Sequence, residues 1–429
     1  MLLNQTVIVI NRHFPDFFED LSHLWDYRQF PEYFVQEIYM ACICMFLFKR
    51  KSRNSMNNTS AKGIFKENYF TIFGMKLPHM DTVAIFMEKS DVAYIENIKG
   101  KMLQTLINKK VFRKFLLAGR YVVAVDGTGI SCYNYEPWED CPYKEYKNGK
   151  IVWQVPILEA KLVFFNNFSI SICTEWILNT GDFKKQNCEL TAFVSLASKI
   201  KKHFPRLPIT IVADGLYPND TVFTICESNN WQYIITLKDG NLKTFWEEIE
   251  WKLRITKENK FEQILFNKPD KMLKHICRFI NGQQYKTHIL NWIECIEEKK
   301  NKTQTTQTRF VYVTNIIASK ENVFGLSNYA RKRWNIENEG FDEQKNHGYA
   351  LKHKYSRKSL TARQNYYQCL QIAHLINQLI EKSRKFIAQL GLKETMLSLW
   401  ESMIAYLWLI EITKEQITEL HLNNCQIRY

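Results

Sequence analysis

The sequence lacks the arrangements of cysteine and histidine that bind zinc. Its 11 cysteines form no Cys-x-x-Cys pair, and the two closest together are Cys42 and Cys44. Because a structural zinc ion needs closely spaced pairs of ligands, a zinc-binding protein is excluded. The odd number of cysteines and their position in apolar stretches instead predict reduced, structural cysteines in a cytoplasmic protein.

Long hydrophobic runs are also missing. The early run at residues 7–10 is too short for a signal peptide. The apolar run at residues 38–48 has eleven residues, whereas a membrane-spanning helix needs about 20. We therefore predict that no segment crosses a membrane and that residues 38–48 form a buried helix.

What the sequence has in excess is positive charge. It carries 58 Lys and Arg residues against 44 Asp and Glu, a formal charge of +14 with a pI near 9.1. Such a balance favours a polyanionic partner, most simply nucleic acid, although a generally basic proteome would give the same bias. The 46% of hydrophobic and 14% of aromatic residues suffice for the core of a chain with two or three domains.

Residues 1–118 have helical periodicity with one polar interruption. There, the basic cluster at residues 49–53 leads into an Asn- and Ser-rich run at 54–60, which is typical of an exposed linker. The cluster either contacts phosphates or only keeps a loop soluble. We predict an all-helical region that binds DNA.

The pattern changes at residue 119, where two similar motifs predict buried strands that end in an acid. Residues 121–128 are a β-branched run that reaches Asp126, followed by glycine. A second apolar run reaches Asp214, again followed by glycine. Further strand-like runs and helical segments lie between and after these motifs, which predicts a mixed α/β sheet.

A third acidic motif lies in a predicted helix over residues 329–345. In it, Arg333 and Glu337 are one turn apart on the same face. Gly340 lies almost a turn further along, and since glycine costs a helix about 1 kcal/mol relative to alanine, we expect a bulky partner to approach there. The helix either offers a carboxylate to a metal bound against a phosphate backbone, or is an ordinary solvated face. Glu339 is a competing acid, but at about 100° per residue it points roughly 160° away from Glu337.

Together, Asp126, Asp214 and Glu337 fit two-metal catalysis of phosphoryl transfer. Two metal ions about 3.5–4 Å apart activate the nucleophile and stabilise the leaving oxygen, and magnesium prefers carboxylate oxygens. A single aspartate before a glycine is more often a turn or a helix cap. Two such strand ends with an Arg-x-x-x-Glu helix downstream favour the catalytic interpretation.

The acidic blocks of DDE transposases resemble three segments of this sequence: Val125-Asp126-Gly127-Thr128, Ala213-Asp214-Gly215-Leu216-Tyr217 and Arg333-Trp334-Asn335-Ile336-Glu337. More narrowly, the sequence is similar to the bacterial insertion sequence four family, whose last block is a Tyr-Arg-Glu-Lys signature helix. The resemblance runs from about residue 68 to residue 381. The Arg-to-Glu spacing agrees, whereas the Tyr and Lys of the signature fall one residue from their expected positions, at Tyr329 and Lys345.

This resemblance implies an α/β fold with an RNase H-like catalytic core and an inserted β-rich subdomain before the third acid. An all-helical N-terminal region precedes the core and C-terminal helices follow it. The implied boundaries are 1–118 for the DNA-end-binding region, 119–238 for the first part of the core, 239–316 for the insertion, 317–390 for the second part with the signature helix, and 391–429 for the helical tail. Within the insertion, Trp292 either is a buried strand residue or stacks on a flipped base.

The resemblance also implies an activity. This is magnesium-dependent cleavage of DNA at transposon ends and transfer of the freed 3′ ends into target DNA, with Mn²⁺ able to substitute. The implied partners are double-stranded DNA and further copies of the chain assembled on it, in the cytoplasm at the bacterial nucleoid. The alternatives are a transposase-derived DNA-binding protein without catalysis, against which the presence of all three acids weighs, and a nuclease that cuts without joining.

Seven residues are predicted to contact DNA. By the resemblance, Arg333, Lys345 and Tyr329 position phosphates beside the acids. The basic stretch at residues 352–358, with an aromatic residue inside it, suits a loop that follows the DNA backbone, or it is a solvated turn. Its candidates are Lys352, His353, Lys354 and Arg357.

Overall fold

The N-terminal quarter of the molecule is helical. The structure, a computed structural model, describes residues 2–178, 185–255, 259–268, 271–300, 304–390, 394–422 and 427–429. The helices before the first strand are α1 (Leu2–His13), α2 (Phe17–Ser22), α3 (Val35–Leu47), α4 (Arg53–Ser60), α5 (Phe65–Phe73), α6 (Met80–Lys89) and α7 (Val92–Asn108), followed by a 3-10 turn at Arg113–Phe115.

Almost every residue of α3 is buried. This confirms the buried helix predicted at residues 38–48, because a helix that is apolar on all faces needs packing partners all round. In the described part of the chain, no helix combines the length and the apolar character needed to cross a membrane.

The prediction of an exposed linker at residues 49–60 is wrong. The Ser52 side chain accepts a hydrogen bond from the backbone N–H of Ser55 at 3.1 Å and caps α4, since a serine oxygen satisfies one of the free N–H groups of a first helical turn. Lys49 is buried, and its Nζ lies 3.2 Å from a carboxylate oxygen of Glu381. Lys49 therefore serves the fold and offers no charge to a DNA surface.

The described strands belong to one mixed sheet. They are β1 (Tyr121–Tyr133), β2 (Tyr143–Glu145), β3 (Ile151–Val163), β4 (Ser169–Trp176), β5 (Ile209–Ala213), β6 (Gln232–Thr236), β7 (Lys260–Lys268), β8 (Lys271–Tyr285), β9 (His288–Lys300) and β10 (Thr305–Thr314). Their order is β2-β3-β1-β5-β6-β10-β9-β8-β7, and β4 also pairs with β3. The mixed α/β prediction is confirmed.

One part of this sheet is antiparallel and another part is parallel, and β1 belongs to both. β1, β3 and β4 are antiparallel neighbours, whereas β1, β5 and β6 run parallel. Parallel neighbours need crossover connections, and these contain α8 (Lys185–His203) and α9 (Asp220–Ser228). A further helix, α10 (Lys243–Ile255), follows β6.

The sequence predicts that β1 ends at Asp126, but in the structure the strand runs on beyond this residue. The strand continues because it keeps pairing with β3, as far as Tyr133 opposite Trp153. Its parallel ladder with β5 stops earlier, at Ala124 opposite Val212. Asp126 therefore lies inside a strand but just beyond the end of the parallel pairing.

Strands β7 to β10 lie in the predicted insertion and extend the same sheet, since β10 pairs with β6. Trp292 is fully buried in β9, as expected of a buried strand tryptophan. Cys277 and Cys295 face each other on β8 and β9 and form a disulfide. The prediction that the cysteines are reduced is therefore wrong for this pair. The two cysteines are 18 residues apart in the sequence, and this spacing gave no sign that they pair.

The remaining helices follow β10. They are α11 (Val323–Arg331), a π-helical segment at Ile336–Asp342, α12 (Glu343–Asn346), α13 (Leu360–Glu381), α14 (Arg384–Gln389), α15 (Met396–Leu409) and α16 (Lys414–Leu422).

The helix at the centre of the helical layer is α13. It is buried along nearly its whole length and packs against α3, α6, α7 and β4. The N-terminal helices and α13 share one hydrophobic core. The boundary at residue 118 stays a prediction, but the helices on either side of it do not form separate cores.

Candidate active site

Asp126 and Asp214 lie side by side at the carboxyl edge of the parallel strands. Each comes two residues after the last parallel pair, Ala124 opposite Val212, and open α/β sheets build their sites at this edge. The Asp214 carboxylate accepts a hydrogen bond from the N–H of Leu216 at 2.8 Å, which fixes the turn after β5. The two carboxylates are thus held by neighbouring, rigid parts of the sheet.

Arg333 connects the third acid to the first. Its Nη1 lies 2.5 Å from Oε1 of Glu337 and 3.5 Å from Oδ2 of Asp126. The Arg333 side chain is 14% exposed, whereas that of Glu337 is 49% exposed. The structure therefore brings Glu337 to Asp126 through a largely buried guanidinium, with one face of the Glu337 carboxylate open to solvent.

The electrostatic environment of Asp126 favours its uncharged form. The pKa of Asp126 is raised to about 7, chiefly by burial and also by the charges of Glu337 and Asp214, while Arg333 opposes the rise. A carboxyl group crowded by other carboxylates ionises only at a cost in free energy, which a cation beside it relieves. All three predicted acids are therefore close enough to act on one another.

The predicted helix over residues 329–345 is not continuous. α11 ends at Arg331, a turn follows, and Ile336–Asp342 form a π-helix before α12 begins. At the end of the π-helix, the N–H of Glu343 bonds to the C=O of Asn338, five residues earlier. Such segments are rare and are frequently found at functional sites.

The π-helix decides which side chain after Glu337 reaches β1. Gln344 is buried, and its Nε2 donates to Oε1 of Gln371 at 2.9 Å. Lys345 instead donates from Nζ to Oγ1 of Thr128 at 2.6 Å, two residues after Asp126. Because a π turn holds more residues than an α turn, the lysine beside the acids lies one residue later than in an uninterrupted helix.

Gly340 packs against the sheet. A Cβ atom at this position would lie 2.9 Å from Oγ of Ser169 and 3.3 Å from Cδ of Lys161. Burial lowers the pKa of Lys161 to about 8, and its ammonium donates to Oε1 of Gln371 at 3.3 Å. The bulky partner expected beside Gly340 is therefore the protein's own sheet, at Lys161 of β3 and Ser169 of β4.

Replacing Gly340 by Val is expected to destabilise the protein by about 1–3 kcal/mol, because the added atoms overpack the contact with β3. The matched control is Gly325→Val in α11, where a Cβ atom meets nothing within 4 Å. Thermal unfolding of both variants measures the difference. Equal melting temperatures for the two variants would contradict the close contact at Gly340.

Tyr329 packs into the fold. Its ring lies against Phe165 with the centroids 4.5 Å apart, and its hydroxyl donates to the C=O of Leu116 at 3.4 Å. These contacts give Tyr329 a structural role, and its contact with DNA stays a prediction.

The predicted basic loop lies along the second half of β1. Lys354 places its Nζ 4.8 Å above the ring of Tyr133, whose hydroxyl donates to the C=O of Ser356 at 2.9 Å. The other three candidates are exposed: Lys352, His353 and Arg357. His353 also lines a groove together with Arg53 of α4. The loop therefore meets the last residue of the N-terminal basic cluster.

Two charged residues near the acids were missed by sequence reasoning. Lys238 lies with its Nζ 4.0 Å from Oδ2 of Asp214, and it follows β6 much as Asp214 follows β5, a parallel that could have revealed it. Glu189 is buried in α8, and its Oε1 is so close to Gly127 that a Cβ there would lie 2.6 Å away. Nothing in the sequence distinguishes Glu189 from other acids near the start of a helix.

The chemistry of the three acids suits a hard divalent cation. Asp126, Asp214 and Glu337 offer only carboxylate oxygens, the donors that Mg²⁺ prefers. Within the described residues, no three His, Cys, Asp or Glu side chains stand close enough, as they lie, to coordinate one ion. The guanidinium of Arg333 lies between two of the carboxylates and balances their charge. The donor set fits the metal, although coordination requires the side chains to draw together.

Comparison with known families agrees with this arrangement. A family model described as a transposase DDE domain matches residues 117–376 of the chain. The matched range contains all three acids, the ten-stranded sheet and the π-helix. No curated protein was found that matches the chain.

Proposed function

The chain belongs to the family of transposases with a DDE domain, and we propose that it cuts DNA at transposon ends and joins the freed ends to target DNA. The reaction depends on Mg²⁺, for which Mn²⁺ can substitute. The observation that carries this proposal is the convergence of Asp126, Asp214 and Glu337 at one edge of the sheet, with Arg333 between Asp126 and Glu337. Clustered carboxylates repel a phosphate backbone unless cations lie between them, so a role in DNA binding alone is disfavoured.

The proposed core is RNase H-like, and the proposed subgroup is the insertion sequence four family. The strand order β4-β3-β1-β5-β6 supports the core, because it joins three antiparallel strands to two parallel ones through the strand that carries Asp126. The Arg333–Glu337 pair one turn apart supports the subgroup, and so does the position of Lys345 beside Thr128.

Each catalytic residue has a proposed task. Mg²⁺ ions held by Asp126, Asp214 and Glu337 would activate the attacking oxygen and stabilise the leaving one. Arg333 orients Glu337, and together with Lys345 it binds the phosphate. In the first step water attacks the phosphorus and the P–O3′ bond breaks, which leaves a 3′-hydroxyl. In the second step this hydroxyl attacks a phosphorus of the target, whose own 3′-oxygen leaves.

The surroundings of the site complete the proposal. Tyr329 and the loop residues Lys352, His353, Lys354 and Arg357 contact the DNA backbone. Residues 1–118 recognise the transposon end, 119–238 and 317–390 form the core, 239–316 form the insertion and 391–429 form a helical tail. Several copies of the chain assemble on double-stranded DNA at the nucleoid in the cytoplasm.

A gel assay tests the proposal. The protein is incubated with Mg²⁺, a target plasmid and a DNA fragment that carries the inverted repeats bordering its gene. We expect cleaved ends and products in which these ends are joined to the plasmid. Cleavage without joined products would indicate a nuclease, and a mobility shift without cleavage would indicate a DNA-binding protein that has lost catalysis.

Arg333→Ala should reduce the salt dependence of DNA binding. Each phosphate contact releases condensed counterions, so losing one contact lowers the slope of log K against log salt by roughly one unit. The control is Arg331→Ala, because Arg331 pairs with Glu297 at 2.8 Å, away from the acids. Fluorescence anisotropy with a labelled duplex measures both slopes. An unchanged slope for Arg333→Ala would mean that Arg333 serves only its two carboxylates.

A further inference from the structure

A second basic surface surrounds a cavity of about 880 Å³, and none of the three acids lines it. Four parts of the chain meet there: the end of α1, the segment after α7, the start of α14 and residues 427–429. Eight of its eleven lining residues are basic, and none of the described lining residues is acidic. The sequence did not single out this surface because its charges come from segments hundreds of residues apart.

Some of these charges serve the fold. The Nζ of Lys109 donates to the backbone C=O groups of Arg12 at 2.8 Å and of His13 at 3.2 Å, and so caps the end of α1. Lys114 donates to the C=O of Tyr429. Cations are expected at such helix ends, where the macrodipole is negative. Capping therefore accounts for Lys109 and Arg12.

Arg384 and Arg113 are not explained in this way. Arg384 is the first residue of α14, where the macrodipole is positive and a cation is unfavourable. Arg113 lies in the 3-10 turn after α7 and is exposed. Both side chains line the cavity, and that of Arg384 does so against the electrostatics of its own helix. This points to an external anion.

The positive potential of the cavity also acts on its histidine. Burial and, to a lesser extent, the charges of Lys109 and Arg12 lower the pKa of His13 to about 4. His13 is therefore neutral at physiological pH, and its Nε2 lies 2.8 Å from the hydroxyl of Tyr429. The charge of the surface comes from Lys and Arg alone and does not depend on pH near neutrality.

The cavity and the basic loop lie at opposite ends of α13. The loop at residues 352–358 directly precedes α13. At the other end, the ring of Tyr429 contacts that of Phe168 edge to face, and Lys382 lies on Phe168 as well. α13 has 22 residues, which at about 1.5 Å per residue makes it about 33 Å long. The two basic surfaces are therefore too far apart to hold the same phosphate groups.

We propose that this cavity binds the phosphodiester backbone of a DNA segment other than the one cut at Asp126, Asp214 and Glu337. A small anion is satisfied by two or three cations. Even apart from Lys109, Arg12 and Lys114, the Lys and Arg side chains of this surface come from several segments and are spread out, which suits a polyanion. The choice of DNA rests on the proposed function, since a reaction that joins an end to a target must hold two DNA segments at once.

The test measures DNA binding by the full chain carrying Glu337→Gln, so that no cleavage disturbs the equilibrium. The cavity variant is Arg113→Gln with Arg384→Gln. The control variant is Lys243→Gln with Arg254→Gln, which removes two exposed charges from α10, one of them also at a first helical residue. With a labelled 40-base-pair duplex, the cavity variant should lower the slope of log K against log salt by about two units. The control variant should leave the slope unchanged.

Two outcomes would overturn this inference. One is an equal slope in the cavity variant and the control variant. The other concerns pyrophosphate. If it raises the melting temperature of the Glu337→Gln chain but not that of the cavity variant, while the salt slope of the cavity variant is unchanged, the cavity binds a small anion. The proposed function fails separately, through absent cleavage in the gel assay of the unaltered protein, so the two failures are distinguishable.

Discussion

Asp126→Asn should abolish Mg²⁺-dependent cleavage while DNA binding stays nearly intact. Asp126 lies between the other acids, since Arg333 contacts it and the charges of Glu337 and Asp214 both act on it. An amide of the same shape cannot neutralise a divalent cation, and removing one charge-stabilising group from an active site costs roughly 10²- to 10³-fold in rate. A gel assay of cleavage and a mobility shift with the same DNA measure the two properties.

The variant should also keep its fold, which the chemistry of Asp126 explains. Because the pKa of Asp126 is raised to about 7, ionising this carboxyl group in the folded protein costs free energy. The free energy of unfolding therefore decreases as the pH rises from the ordinary carboxyl range towards 7. Asparagine avoids this cost. At pH 8 in chelator, Asp126→Asn should therefore melt at the same temperature as the unaltered protein or higher.

The control for this experiment is Asp239→Asn. Asp239 also follows a strand of the sheet, but it is 82% exposed and pairs with Arg309 at 3.0 Å. It should keep full cleavage. Unchanged cleavage by the Asp126→Asn protein, or by the unaltered protein in chelator, would overturn the metal-dependent mechanism.

How far the sequence predicts this site depends on the kind of structure involved. Asp126 and Asp214 were found from sequence because a buried strand followed by an acid and glycine is a local pattern, and parallel strands bring such ends together. The extension of β1 to Tyr133 was not predicted, because it depends on pairing with β3. Which strands pair is decided by the tertiary structure. The sequence therefore predicts that a strand exists more readily than it predicts where the strand ends.

The segment around Glu337 shows a second limit. Helical periodicity assumes about 100° per residue, and a π-helix breaks this assumption without any change in composition. Gly340 was recognised as unusual, but its cause, the close approach of Lys161 and Ser169, lies in strands far away in sequence. The basic cluster failed similarly, because nothing local distinguishes Lys49, which pairs with Glu381, from an exposed lysine.

Glu337→Gln should eliminate cleavage, whereas Glu339→Gln should leave most of it. The sequence argument from helical angles loses force in a π-helix, so the contacts must decide. Glu337 shares Arg333 with Asp126. The Oε2 of Glu339 lies 3.8 Å from Nζ of Lys382, at the end of α13 and away from Asp126. Of these two glutamates, Glu337 is therefore the one that lies beside Asp126.

Cleavage rates of the two variants, measured with the same DNA and Mg²⁺, test this assignment. We expect a loss on the order of 10²- to 10³-fold for Glu337→Gln and less than about tenfold for Glu339→Gln, whose ion pair with Lys382 is partly exposed and contributes about 0–1 kcal/mol. Asp342→Asn is a further control, because its Oδ1 accepts a hydrogen bond from Asn346 at 2.6 Å on the same segment. If Glu339→Gln proves the inactive variant, the π-helical register is wrong, and the roles proposed for Arg333 and Lys345 fail with it, because both depend on the direction in which Glu337 points.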